Sequence, residues 1–179
     1  MIKYCILLGA LFASLSVQSA EHLKLNDFEL ATKIDKDKYK NADCTDLYNY
    51  KVCKINQKDD TFELTIDKED GFLVGITKTI DNGADNAYFK CEAYHSKVVD
   101  TFKKVYSGTM QNSSRMSSNI NVKYLDYNYK IISKCLDSNK NLLSIYLNDF
   151  YTEMIKMKSK QYEEISEKAK SNVESDLNI

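Results

Sequence analysis

Two stretches in the middle of the chain alternate apolar and polar positions with a period of two. In "TFELTID", Phe62, Leu64 and Ile66 alternate with Thr61, Glu63, Thr65 and Asp67. Past the turn "KEDG", Phe72, Val74 and Ile76 resume the alternation. Such alternation around a Gly-containing turn predicts a β-hairpin with one buried face. Further on, Leu125, Tyr127, Tyr129 and Ile131 share one parity, with Asp126, Asn128 and Lys130 on the other. The turn "DSNKN" leads to Leu143, Ile145 and Leu147, which predicts a second hairpin. A further strand is expected around Tyr50 to Ile55, although its alternation slips near Cys53.

Between the hairpins the period changes. Ala87, Cys91, Tyr94, Val98, Phe102 and Val105 recur at steps of three and four, one stripe of an amphipathic helix. Gly108 stands where a helix C-terminal cap belongs. Phe150, Met154, Met157, Ile165, Ala169 and Val173 predict a last helix, charged and expected to fray after about residue 170. Near the start, Asn26 followed by Glu29 has capping-box spacing, so a short helix to about Lys38 is expected. Segregated hairpins and helices point to an α+β domain. The expected fold is an antiparallel sheet of four to five strands, two hairpins among them, with helices packed on one face. No sequence repeat is visible.

The first twenty residues change the count. Lys3, an apolar run from Ile6 to Val17 and small residues after it read as a cleaved secretory signal, too short for a membrane span. Cleavage is expected after Ala20, with Ser19 as the alternative. Residues 1–20 are then the signal and 21–179 a single domain, periplasmic or extracellular, with no membrane span after cleavage. Removal of Cys5 leaves Cys44, Cys53, Cys91 and Cys135, an even number in an oxidising compartment. Three pairings are possible. Cys91 lies on the helix stripe and Cys135 shares the core parity of Ile131, which favours Cys91–Cys135 and leaves Cys44–Cys53. The second pair requires "TDLYNYKV" to reverse direction near Asn49, or to coil first and extend later. The absence of C-x-x-C spacing favours structural staples over a redox centre.

The charges, 24 basic and 26 acidic after loss of Lys3, are finely mixed. No basic run suggests nucleic acid or an anionic membrane. Only two histidines occur, and His95 is expected to be a boundary residue with its ring partly exposed. With the cysteines paired, a zinc ligand set is lacking. No phosphate-binding glycine loop, nucleophile elbow or His-Glu-x-x-His motif is present. No catalytic residue, metal or cofactor is therefore nominated.

What remains is surface. The polar stretch "GTMQNSSRMSSN" is longer than the usual connection and carries the only arginine. Met110, Asn112, Arg115 and Met116 are its candidate contacts, and Asn112-Ser113-Ser114 is an acceptor for N-glycosylation if the source is eukaryotic. The expected function is that of an exported, non-catalytic binding protein with a protein partner, such as an inhibitor or protective protein. The alternatives are a small envelope hydrolase using a carboxylate pair, and a structural or adhesive envelope component.

Overall fold

The computed structural model describes residues 22–57, 60–83, 87–136 and 139–176, with side chains placed up to residue 169. The expected signal, residues 1–20, lies outside the described residues. The chain runs through β1 (Lys24–Leu25), β2 (Phe28–Glu29), β3 (Asp43–Leu47), β4 (Tyr50–Gln57), β5 (Asp60–Asp67) and β6 (Leu73–Asp81). Helix α1 (Ala87–Lys104) follows, then β7 (Thr109–Ser113), β8 (Ser117–Tyr124), β9 (Tyr127–Leu136), β10 (Lys140–Leu147) and α2 (Asn148–Asp176). The class is α+β, as expected, but the main sheet has eight strands rather than four to five.

The strand order, β3-β4-β5-β6-β10-β9-β8-β7, is antiparallel throughout. It consists of two four-stranded meanders whose last strands, β6 and β10, pair at the centre. Each meander is preceded by a segment that covers the same face. Leu23, Phe28 and Leu30 cover the first, and Cys91, His95, Val98 and Phe102 of α1 cover the second. This duplicated plan has no counterpart in residue identity.

Alternation explains the core. Phe62, Leu64, Ile76, Ile120, Val122, Ile131, Leu143 and Ile145 point to one face and are all buried. Each such aliphatic side chain stabilises by about 1.5–3 kcal/mol when fully buried. The other face holds a smaller cluster of Tyr50, Val74 and Phe150, with Tyr146, Met154 and Met157 against it. Ile145 belongs to the first cluster and its neighbour Tyr146 to the second, so α2 lies on the face opposite α1. The expectation of helices on one face is corrected: the apolar spacing of α2 could not say which face it meets. Only its first turns do so. From Lys158 to Ala169 every side chain is exposed, including Tyr162 at 73% and Ile165 at 56%.

Three local expectations change. The segment from Asn26 is not the expected α-helix; within it only Lys36–Lys38 is helical, a single 3-10 turn capped by Asp35. Asn26 adopts a left-handed conformation (φ 55°) in a tight β1–β2 turn. Glu29 turns back to accept from the His22 backbone N–H and to pair with Lys24. Gly108 does not cap α1 through its φ; Ser107 carries the left-handed conformation (φ 50°). Glycine is needed there because a Cβ would lie 2.8 Å from the Phe102 carbonyl and 2.7 Å from Ile120 Cγ2. Leu125, expected in a strand, forms with Asp126 the β8–β9 turn.

Both expected cysteine pairs are joined. Cys44 and Cys53 are direct cross-strand partners, Cα–Cα 4.1 Å, and the chain reverses at Tyr48-Asn49 between Leu47 and Tyr50. Cys91 and Cys135, Cα–Cα 5.7 Å, fasten α1 to β9. The Asn141 side-chain oxygen lies against both of their sulfurs.

Candidate functional site

The polar stretch after α1 is a hairpin at one end of the sheet, not a loop. β7 and β8 pair from Thr109↔Asn121 to Ser113↔Ser118, and Ser114 N–H donates to the Ser117 carbonyl (2.7 Å) to close the tip. The four candidate contacts do not form one patch. Met110 is half-buried against the core, and Met116 is half-buried with its carbonyl accepting from Cys135 N–H (2.8 Å). Asn112 is exposed, and its side-chain oxygen accepts from Asn119 across the pair (2.7 Å). Arg115 is held within the chain. Its Nε and a terminal nitrogen donate to the two Glu92 oxygens at 2.5 and 2.9 Å, and its guanidinium lies 5.5 Å from the Tyr88 ring centroid. The hydrogen bond from Arg115 holds the Glu92 carboxyl below its usual range. This fork clips the hairpin tip to α1 and engages Nε and one terminal nitrogen of the guanidinium within the chain.

What the hairpin does offer is an edge. β7 has one strand neighbour, β8, and Thr109, Gln111, Asn112 and Ser113 are exposed. It carries no charge and no proline. The opposite edge, β3, carries Asp43 and Asp46, the kind of charge that discourages further pairing. A bulge lies between Met110 and Asn112, where Gln111 has no partner on β8. The Gln111 side-chain oxygen accepts from Lys130 Nζ at 2.5 Å.

Lys130 was not singled out by sequence. It is 5% exposed on β9, and its ammonium donates also to Asn121 Oδ1 (3.1 Å) beside the Tyr151 ring. Burial holds its pKa below the ordinary lysine value, and no carboxylate pairs with it among the described residues. Enclosed by two amide oxygens and a ring, it anchors the bulge. Its position at a polar parity of β9 made it look like a surface lysine.

His95 is also deeper than expected. At 3% exposure it sits between Ser133 Oγ, 2.9 Å from Nδ1, and Ser118 Oγ, 3.2 Å from Nε2. Its place four residues after Cys91 on the inward stripe was the signal for burial. Ser118 is itself fully buried, so the pair presents no nucleophile to solvent. Burial lowers the His95 pKa, while a hydrogen bond involving the Ser114 backbone opposes it. A histidine with a depressed folded pKa contributes its full stability above its unfolded value of ~6.5 and loses it as pH falls towards the folded pKa. His95→Gln is therefore expected to flatten the decline of melting temperature below about pH 6.5, as followed by circular dichroism across pH. An unchanged acid slope would mean that His95 does not set it.

One cleft differs from the rest of the surface. Depressions of about 560 and 540 Å³ are lined largely by charged and amide side chains. A cleft of about 330 Å³ between β1 and α1 is apolar, with Leu143 and Ile145 of β10 as its floor. Val98 and Phe102 form one wall and Leu25 the other. Among the described residues no group of three or more His, Cys, Asp and Glu side chains is placed to hold a metal ion, and no helix is long and apolar enough to cross a membrane. No family model, curated protein or solved structure matches the chain.

Proposed function

We propose that this is an exported binding protein whose contact surface is the β7 edge of its sheet. The observation that supports this most is the uncharged, exposed edge strand Thr109–Ser113, beside an opposite edge guarded by Asp43 and Asp46. An edge strand presents unpaired backbone donors and acceptors, and an extended segment of a partner can add to it as a further strand. Main-chain hydrogen bonds then supply affinity, and the exposed Thr, Gln, Asn and Ser side chains select a polar, uncharged segment. The two disulfides accord with an oxidising compartment. They keep both meanders rigid, so the edge is presented already formed, which lowers the ordering entropy of association.

The role of Arg115 changes accordingly, from partner contact to clip. Capture from the native envelope or secretome with the mature protein is expected to retain a partner. Thr109→Lys/Asn112→Lys, which places two charges on exposed edge positions, is expected to lose it with the melting temperature unchanged. Arg115→Ala is expected to keep it. Equal capture by the double-lysine variant would remove the edge from the account.

A further inference from the structure

The cleft between β1 and α1 shares no lining residue with β7 and is a separate site. Its floor consists of Leu143 and Ile145, core residues of a central strand, and its accessible apolar lining is the half-buried Leu25, Tyr94 and Tyr106. At about 330 Å³ it falls at the lower end of the ~300–1,000 Å³ found for small-molecule sites. With ~30 Å³ for a liquid water, a volume close to that of a methylene, it accommodates about ten non-hydrogen atoms.

The rim has a sign. Lys97 of α1 is exposed and makes no ion pair among the described residues. The nearby carboxylates are engaged: Glu29 pairs at 3.4 Å with Lys24, itself a lining residue of the cleft, and Asp60 pairs with Lys78 at 2.6 Å. Tyr94 also lines the cleft, and its phenol is held above its ordinary pKa, first by burial and then by the Asp60 charge. It is therefore a neutral donor at physiological pH. The mouth combines two cations, Lys97 and the Glu29-paired Lys24, and one neutral hydrogen-bond donor above an apolar floor. That combination rejects a cationic amphiphile and gives an uncharged one nothing to satisfy Lys97.

We propose that this cleft binds a small amphipathic anion, an apolar tail lying between Leu25, Tyr94 and Tyr106 above Leu143 and Ile145, with a single carboxylate, sulfonate or phosphate head at Lys97. The tail removes water from these walls, and the head meets the ammonium and the Tyr94 hydroxyl. Affinity comes chiefly from the tail, and selection among amphiphiles from the head.

The probes are octanoate, 1-octanol and octyltrimethylammonium, titrated into the mature protein and followed by methyl NMR shifts at Ile145. Octanoate is expected to bind at least tenfold more tightly than octanol, and the cation not at all. Lys97→Glu, a change at an exposed position, should weaken octanoate at least tenfold and leave octanol unaltered; Lys97→Gln should give an intermediate loss. Thr101→Trp, which fills the cleft from an exposed position on α1, should abolish binding of both without lowering the melting temperature. Equal affinity for octanoate and octanol, octanoate binding unaffected by Lys97→Glu or by Thr101→Trp, or no shift at Ile145 with millimolar octanoate would each overturn the proposal.

Discussion

Replacing Cys91 and Cys135 together by alanine is expected to lower the melting temperature by roughly 10–15 °C, the larger loss of the two disulfide deletions. The bond spans 44 residues, against 9 for Cys44–Cys53. In the chain-entropy account these loops correspond to about 4 and about 2.7 kcal/mol. The positions widen the gap. Cys91 is fully buried where α1 meets β9, and α1 covers the core face of β8, β9 and β10. Cys44–Cys53 joins an edge strand that five cross-strand pairs already hold in register. Thermal melts of both double-alanine variants make the comparison. A greater loss from the Cys44–Cys53 variant would mean that the first meander, not the α1 contact, limits stability.

Gly75→Ala is expected to destabilise by about 2–3 kcal/mol, in the range of overpacked cores. Gly75 sits on central strand β6, paired with Thr65 on one side and Tyr146 on the other. A Cβ there would stand 2.5 Å from Tyr146 Cδ1, 2.9 Å from its Cε1 and 3.3 Å from Thr65 Cβ. The ring has little room to yield. It packs on Phe150 and Tyr151, and its hydroxyl is hydrogen-bonded with Thr77 Oγ1 at 2.9 Å. Displacing it breaks that bond and lifts the first turn of α2 off the sheet. Chemical denaturation measures the loss, and Gly75→Ala/Tyr146→Ala should recover part of it by vacating the space. No recovery in the double variant would point to backbone strain instead of the ring.

The legible parts of the fold were those in which apolar residues dominated the inward positions. β5, β6, β10 and α1 meet that condition, with the buried Asn141 of β10 and His95 of α1 as exceptions, and their periods were plain. The period of β8 was not, although Ser118, Ile120 and Val122 all point inward. Ser118 is a core residue because His95 supplies its hydrogen bond, and a serine at an inward position conceals the alternation. β7 has only Met110 turned inward among polar residues, so a strand looked like a loop. At the N-terminus the spacing of Asn26 and Glu29 suits a helix cap. The same two side-chain types serve a tight hairpin, where asparagine tolerates a left-handed conformation and the carboxylate satisfies a backbone N–H. Cys91–Cys135 was legible because helix stripe and strand parity both pointed inward. Of the exposed residues on the proposed edge, Asn112 was nominated from the sequence and Thr109, Gln111 and Ser113 were not. Glu92, which engages Arg115, lies 23 positions away on another element, and local patterning carries no sign of it.

The claim at the centre of this account is that β7 receives an extended segment of a partner. Amide hydrogen exchange on the captured complex, resolved to the peptides spanning residues 109–113 and 43–47, tests it directly. In the free protein both edge strands should exchange quickly relative to β6 and β10, whose ladders are paired on both sides. In the complex, protection should rise at Thr109–Ser113 and stay unchanged at Asp43–Leu47. Protection at Asp43–Leu47 or along α2, with Thr109–Ser113 still exchanging as in the free protein, would contradict the account.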